Sequence, residues 1–303
     1  MEMTRRKLML SGCAAMAAMC VSSDASALFR HGKSRKKGLA GIAPANSGLV
    51  THWYYDWTMY PAERGMPSLN PRIQFHPMCW GWKPARQEKH ILAQSAEIPN
   101  KSQKPDKSDN SSPEGLARLK TLAPKVLFGF NEPDKVKQAN LTVEQAVAAW
   151  PLFQGVAHEL VSPSCAQPGH EWMEQFVSQV QKQKLQLDAL GYHSYGSDSA
   201  ESFIKNLEAF HDKYQLPVWV TEFAVADWRA RDGKTVNRYS VEQVAEFMKK
   251  ACDYMEKTSW VHGYAWFPTG GQFAAPGRGP LVSSMLYHQD GSLNDLGKLY
   301  ASI

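Results

Sequence analysis

The sequence predicts a single (β/α)8 barrel of the TIM type. Short runs rich in β-branched and aromatic residues alternate with amphipathic helical patterns along most of the chain. Eight such runs lie within roughly 260 residues, which is the usual size of one such barrel. Two of the runs end in a glutamate, and strand ends are where barrel enzymes place their catalytic residues.

The chain is expected to begin with an export signal over residues 1–27. Basic residues 5–7 precede an apolar stretch over residues 8–21, and residues 25–27 form an A-x-A cleavage site. The paired arginines also fit a twin-arginine signal, and Cys13 ends a segment similar to a lipoprotein cleavage box. Because the apolar stretch is too short to span a bilayer, we expect a periplasmic or secreted protein with no transmembrane segment.

Residues 28–37 are expected to form a basic, disordered tail that carries most of the positive charge. The whole chain has a formal charge of +5, but the part from residue 38 onward has a charge of −1. Binding to a nucleic acid backbone requires a broad positive surface. Nucleic acid is therefore not expected as a partner.

The predicted barrel domain covers residues 38–303. Its eight strands are expected over residues 38–42, 49–54, 72–79, 125–131, 157–163, 187–193, 217–222 and 261–267. Capping boxes that begin at Thr142 and Ser240 predict two of the intervening helices. Residues 96–113 are polar and are expected to form a flexible insertion, with a helix starting at Ser112.

The three cysteines of the predicted mature chain are Cys79, Cys165 and Cys252. They permit at most one disulfide, and the helical spacing around Cys252 favours a buried, inert thiol. Pairs of His or Cys at metal-ligand spacing do not occur in the sequence, so neither a metal nor another cofactor is expected.

Glu132 and Glu222 are the candidate catalytic residues, since Glu132 directly follows the fourth predicted strand and Glu222 ends the seventh. The carboxyl ends of barrel strands meet at one mouth, which would bring the two carboxylates together. The alternative is that both are surface charges at the start of loops.

Several motifs, taken in order along the chain, resemble those of glycoside hydrolase family 128. They occupy residues 53–57, 75–81, 128–134, 191–196, 219–224, 264–267 and 290–297. The resemblance runs from about residue 38 to about residue 300, and it implies a retaining β-1,3-glucanase with its acid/base on strand four and its nucleophile on strand seven. The chain departs from the family pattern at Asp56, where Asn is usual, and at Ser194, where Trp is usual.

The resemblance implies a role for each carboxylate. Glu132 would be the general acid and later the base, which requires a raised pKa, and Glu222 would be the nucleophile about 5–5.5 Å away. Asn131 would contact the substrate hydroxyl at C2, unless it only caps a turn. Tyr195 would donate to Glu222, or else be a core tyrosine. His193 would contact substrate or Glu132, or else be structural.

The ten tryptophans are more than a chain of this length usually has, and aromatic rings cover the apolar faces of sugars. The tryptophans at or just after strand ends are therefore expected to bind the sugar, namely Trp53, Trp57, Trp80 and Trp266, and the resemblance places Asp56 at the same sugar-binding rim.

The function predicted from the sequence is thus exported hydrolysis of β-1,3-glucan by double displacement, by a protein that is expected to be a monomer with a polysaccharide or oligosaccharide as its partner. One alternative is a glycosidase for another β-linked polysaccharide. The other is an exported, non-catalytic β-glucan-binding protein.

Overall fold

The protein forms a barrel of eight parallel strands. The structure, a computed structural model, describes residues 34–44, 47–60, 73–82, 112–267 and 278–303. The strands are β1 (Lys37–Ala40), β2 (Trp53–Tyr55), β3 (Gln74–Phe75), β4 (Val126–Phe128), β5 (Glu159–Cys165), β6 (Ala189–Gly196), β7 (Val218–Val225) and β8 (Val261–Trp266). Their order in the sheet is β3-β2-β1-β8-β7-β6-β5-β4.

A parallel bridge between Met78 and Phe128 closes the sheet between β3 and β4. Phe128 donates its backbone N–H to the Pro77 carbonyl at 2.9 Å, and Cys79 donates to the Phe128 carbonyl at 3.0 Å. The predicted (β/α)8 barrel is confirmed, with all eight strands in the predicted order along the chain.

Six helices in the described residues cover the outside of the barrel. They are α1 (Pro113–Leu122), α2 (Val143–Ala149), α3 (Glu171–Lys182), α4 (Ala200–Tyr214), α5 (Val241–Lys257) and α6 (Asp295–Ser302). Both predicted capping boxes are present, at Thr142 for α2 and Ser240 for α5, and Ser112 caps α1 as predicted. In the described part of the chain, none of these helices is long and apolar enough to cross a membrane.

The expected disordered tail over residues 28–37 is wrong for residues 34–37, which pack against the barrel. Ser34 is buried, and the Lys36 ammonium donates to the Thr258 carbonyl at 2.7 Å. Lys37 begins β1 and is fully buried. Its ammonium donates to the carbonyls of Tyr300 at 2.8 Å and Ala301 at 3.2 Å, so a residue assigned to the tail by its charge holds the end of α6. The predicted export signal, the rest of the basic tail up to residue 33 and the insertion up to residue 111 lie outside the described residues.

Two hydrophobic cores support the barrel. The inner one lies inside the sheet and includes Trp53, Tyr55, Phe128 and Trp219. Glycine is required beside both tryptophans, because a Cβ on Gly38 would lie 2.2 Å from the Trp53 ring. A Cβ on Gly263 would lie 2.3 Å from the ring of Trp219.

The outer core lies between the sheet and the helices and includes Trp150, Phe176 and Trp266. Cys79, Cys165 and Cys252 are all buried free thiols. Burial raises the pKa of the Cys252 thiol, as expected for an inert group.

Candidate active site

Three ionisable side chains meet at the carboxyl-terminal mouth of the barrel. Glu132 follows β4, His193 lies on β6 and Glu222 lies on β7. All three are buried, and one side-chain N or O atom from each lies within 4.8 Å of the others. The two glutamates are therefore not surface charges, and the strand ends bring them together as expected.

Glu222 is held in one orientation by three donors. The Tyr55 hydroxyl and the Trp57 indole N–H each donate to Oε1 at 2.8 Å, and the Tyr195 hydroxyl donates to Oε2 at 2.5 Å. Burial, together with the charge of Glu222, raises the pKa of both tyrosines well above the usual value. Both phenols therefore stay protonated and act as donors. The Tyr195 contact is the one expected from the sequence.

Glu132 has a different environment. Its backbone is in the left-handed region at φ +42°, and its N–H donates to the Ser164 carbonyl at 2.7 Å. The Lys135 ammonium lies 3.0 Å from Oε2. Burial alone would raise the pKa of Glu132, but contacts with His193 and Lys135 outweigh it and lower this pKa.

The pKa of Glu132 is therefore lowered, whereas the sequence predicted a raised one. Two contacts lower this pKa: Nδ1 of His193 lies 3.4 Å from Oε1, and Lys135, three residues later in the chain, folds back onto Oε2. The sequence pattern alone does not mark this lysine as a site residue.

His193 lies between the two carboxylates. Its Nδ1 is 3.4 Å from Oε1 of Glu132 and 3.5 Å from Oε2 of Glu222. Burial would lower the pKa of His193, but the charges of Glu222 and Glu132 raise it overall. Among the described residues, Nε2 is buried without a hydrogen-bond partner. The ring can thus exchange a proton with either carboxylate.

Asn131 immediately precedes the acid candidate. Its backbone N–H donates to the Trp80 carbonyl at 2.9 Å, and its Nδ2 donates to Oε1 of Gln138 at 3.3 Å. Within the described part of the chain, Oδ1 of Asn131 is buried and has no partner. This oxygen is therefore an acceptor that a ligand hydroxyl can use.

The expected sugar-binding residues fall into two groups. Trp57 and Trp80 are partly buried at the mouth, and Asp56 is buried there, with Oδ1 accepting from the backbone N–H and hydroxyl of Thr58. The assignments for Trp53 and Trp266 are wrong.

Trp53 is only 1% exposed, because it begins β2 and lies at the opposite end of the barrel, where its indole N–H donates to the Lys36 carbonyl. Trp266 points into the outer core and donates to the Ser284 carbonyl.

Tyr55 is a site residue that the sequence analysis missed. The signal was available, since Tyr55 lies two residues after Trp53 on the same face of β2, at the carboxyl end of the strand. Trp228 is a second site residue that the sequence did not indicate. It is 40% exposed beside the mouth, and its indole N–H donates to the Tyr195 carbonyl at 3.1 Å.

The cluster of Glu132, His193 and Glu222 has the donor types to ligate a metal ion. However, the carboxylate oxygens already accept hydrogen bonds from an ammonium, an indole and two phenols. Such a donor set orients carboxylates for proton transfer and nucleophilic attack.

Comparisons with known proteins agree with this geometry. A curated relative, alkali-sensitive linkage protein 1 of Schizosaccharomyces pombe, is 28% identical over 186 residues, which is 58% of this chain but only 32% of the relative. This chain therefore matches about a third of that protein's length.

Two solved structures cover nearly the whole barrel. A family 128, subgroup I endo-β-1,3-glucanase from Amycolatopsis mediterranei is 26% identical and superposes with a TM-score of 0.66 over 88% of this chain and 99% of its own. A subgroup VI exo-β-1,3-glucanase from Aureobasidium namibiae is 24% identical, with a TM-score of 0.64 over 88% of this chain and 96% of its own.

The resemblance to glycoside hydrolase family 128 is thus confirmed by the structures that the chain is similar to. The family model described as "Glycosyl hydrolase catalytic core" matches residues 40–300. This range includes β2 to β8 in full and the last residue of β1. The chain therefore belongs to the glycosyl hydrolase catalytic core family.

Proposed function

We propose that the protein is a β-1,3-glucanase that retains the configuration of the anomeric carbon. The observation that carries this proposal is the distance below 4.8 Å between an oxygen of Glu132 and an oxygen of Glu222. Retaining glycosidases hold their carboxyl groups about 5–5.5 Å apart, whereas inverting enzymes need about 6.5–9.5 Å for a water molecule. The substrate class is inferred from the Amycolatopsis mediterranei enzyme, which was solved with laminaritriose bound.

In the first step, the Glu222 carboxylate attacks the anomeric carbon while Glu132 protonates the glycosidic oxygen that leaves. The hydrogen bonds from Tyr55, Trp57 and Tyr195 hold the attacking carboxylate in place. The product is a glycosyl ester of Glu222 and a shortened chain with a free hydroxyl.

Glu132 must carry a proton at this moment, although Lys135 and His193 favour its ionised form. We infer that the glycosidic oxygen displaces the Lys135 ammonium from Oε2, so that Oε2 carries the proton and donates it to this oxygen as the bond breaks. Loss of the ammonium contact raises the pKa of Glu132 when the acid is needed.

In the second step, ionised Glu132 removes a proton from water, and the resulting oxygen attacks the ester from the face that the leaving group vacated. Two inversions give retention and restore Glu222. Asn131 Oδ1 supplies an acceptor for a sugar hydroxyl, which is a contact that strengthens as positive charge develops on the ring.

The test is reducing-sugar release by the purified protein from linear β-1,3-glucan, alongside β-1,4-glucan, mannan and mixed-linkage glucan. We expect release from β-1,3-glucan and a loss of at least about a thousandfold in Glu222→Gln. Proton NMR of the first product should show the β anomer, whereas the α anomer would overturn retention.

Release from a different polysaccharide would favour the alternative linkage. Oligosaccharide binding without any hydrolysis would favour the binding-protein alternative. We also propose that the chain is exported through residues 1–27. N-terminal sequencing of the protein from the extracytoplasmic fraction should begin near residue 28, and an intact N-terminus in the cytoplasm would contradict this.

A further inference from the structure

A cavity lies at the amino-terminal end of the barrel, opposite the carboxylate pair. It has a volume of about 640 Å³. Its lining includes the first residues of four strands, namely Trp53 of β2, Gln74 of β3, Val126 of β4 and Glu159 of β5. Glu222, in contrast, is the fifth residue of β7. The cavity and the catalytic mouth are therefore at opposite ends of the sheet.

The rim of this cavity is basic. Arg35 and Lys125 are exposed residues in its lining, and His52 and His158 also line it. Glu159 is the only carboxylate among the described lining residues. Its Oε1 accepts a hydrogen bond from the Trp219 indole N–H at 2.8 Å and lies 2.7 Å from Nδ1 of His262. This carboxylate therefore already has two partners.

His76 lies at the back of the cavity. It is 4% exposed and is packed between aromatic rings, with centroids 5.2 Å from Trp53 and 5.4 Å from Trp219. Burial, helped by His52 and Lys125, lowers its pKa to about 3. The neutral ring keeps one N–H donor. The side chain lines the cavity.

We propose that this cavity is a binding site for a small oxyanion, either a free phosphate or the phosphate of a phosphorylated sugar. Guanidinium and ammonium groups make short, charge-assisted hydrogen bonds to such oxygens, and Arg35 and Lys125 provide them at the rim. His76 provides a buried N–H donor at the back. The volume exceeds that of phosphate alone, so a sugar phosphate also fits.

The test is calorimetric titration with inorganic phosphate at pH 7.5 and constant ionic strength, with chloride as the background salt. We expect saturable binding, weakened at least about tenfold in Arg35→Gln and in Lys125→Gln, because each loses a charged donor. Lys205→Gln, which changes an exposed lysine on α4, is the matched control and should bind like the native protein. His76→Phe keeps the ring packing, and it should also weaken binding.

Competition distinguishes the two sources of the oxyanion. Glucose 6-phosphate that binds more tightly than phosphate would assign the site to a phosphorylated sugar, and equal or weaker binding would assign it to free phosphate. Glucose is the neutral control.

The site is overturned if phosphate gives no saturable heat, or if both rim variants bind as tightly as Lys205→Gln. Glucan hydrolysis should be unchanged in both rim variants, since they lie far from Glu222. The result is therefore independent of the proposed glucanase activity.

Discussion

Two residues at the catalytic mouth have left-handed backbone conformations although neither is glycine. These are Glu132 at φ +42° and Trp57 at φ +63°. Such conformations cost about 1–3 kcal/mol each and persist only where the surroundings enforce them. Here the contacts are the hydrogen bond from the Glu132 backbone N–H to the Ser164 carbonyl and the one from the Trp57 indole N–H to Glu222. One of these strained residues is therefore a catalytic candidate, and the other donates a hydrogen bond to its partner carboxylate.

Replacing Lys135 by Met should change the pH dependence of catalysis. The ammonium stabilises ionised Glu132, so its removal raises the pKa of this carboxyl and keeps the acid protonated to higher pH. The alkaline limb of the pH profile of kcat/KM reports deprotonation of the catalytic acid in the free enzyme. This limb should move to higher pH.

Lys137→Met is the control for this prediction, because Lys137 is an exposed lysine on the same loop. A limb that stays in place or moves to lower pH in Lys135→Met would show that the ammonium does not control the protonation of Glu132.

Tyr55→Phe and Tyr195→Phe each remove one donor from Glu222. Hydrogen bonds to charged groups contribute about 1.5–3 kcal/mol, so kcat should fall by about ten- to a hundredfold in each variant. Tyr287→Phe is the control, since the buried Tyr287 hydroxyl has no partner among the described residues. Equal kcat in all three variants would contradict the role of these donors.

At the scale of the elements, an irregularity in the pairing of β6 with β7 determines which site residues lie opposite each other. The pairing of the two strands shifts between Tyr192 and His193, so that His193 lies opposite Glu222. Bulges of this kind redirect side chains and are common beside active sites. The alternating pattern of the sequence does not reveal such a shift, because β7 is buried on both faces.

The sequence therefore predicted that both carboxylates lie at strand ends. It did not predict that the His193 ring would lie between them. Lys135 was missed for a similar reason. Its position depends on the left-handed turn at Glu132, and neither residue is of a type that marks such a turn.

Lys37→Met should loosen α6. The Lys37 ammonium is the donor for the carbonyls of Tyr300 and Ala301 at the end of that helix. Losing it should lower the free energy of unfolding by about 1–3 kcal/mol, measured by urea denaturation. Lys298→Met removes an exposed ion pair with Asp295 on the same helix and should have a much smaller effect. A Lys37→Met protein as stable as the native one would contradict this account.

For the whole molecule, local patterns predicted the barrel well because the strands are short apolar runs and most of the helices have an apolar face and a side-chain cap, as those at Thr142 and Ser240 show. Two of the four tryptophans assigned to sugar binding were wrong for the opposite reason. Whether a strand residue faces the inner or the outer core depends on the side of the sheet, as Trp266 shows, and whether it reaches the mouth depends on its height in the closed sheet, as Trp53 shows. This height is a property of the assembled barrel.

The order of the strands has a consequence for how the chain can be rearranged. The only sheet neighbours that are distant in sequence and share a full ladder are β1 and β8, whereas β3 and β4 meet in the described residues through a single bridge. A circular permutant that joins residue 303 to residue 34 and has its new ends between residues 82 and 112 would make every laddered pair consecutive. Shorter sequence separations favour faster folding. Such a permutant should therefore refold faster than the native chain while keeping its hydrolytic site intact.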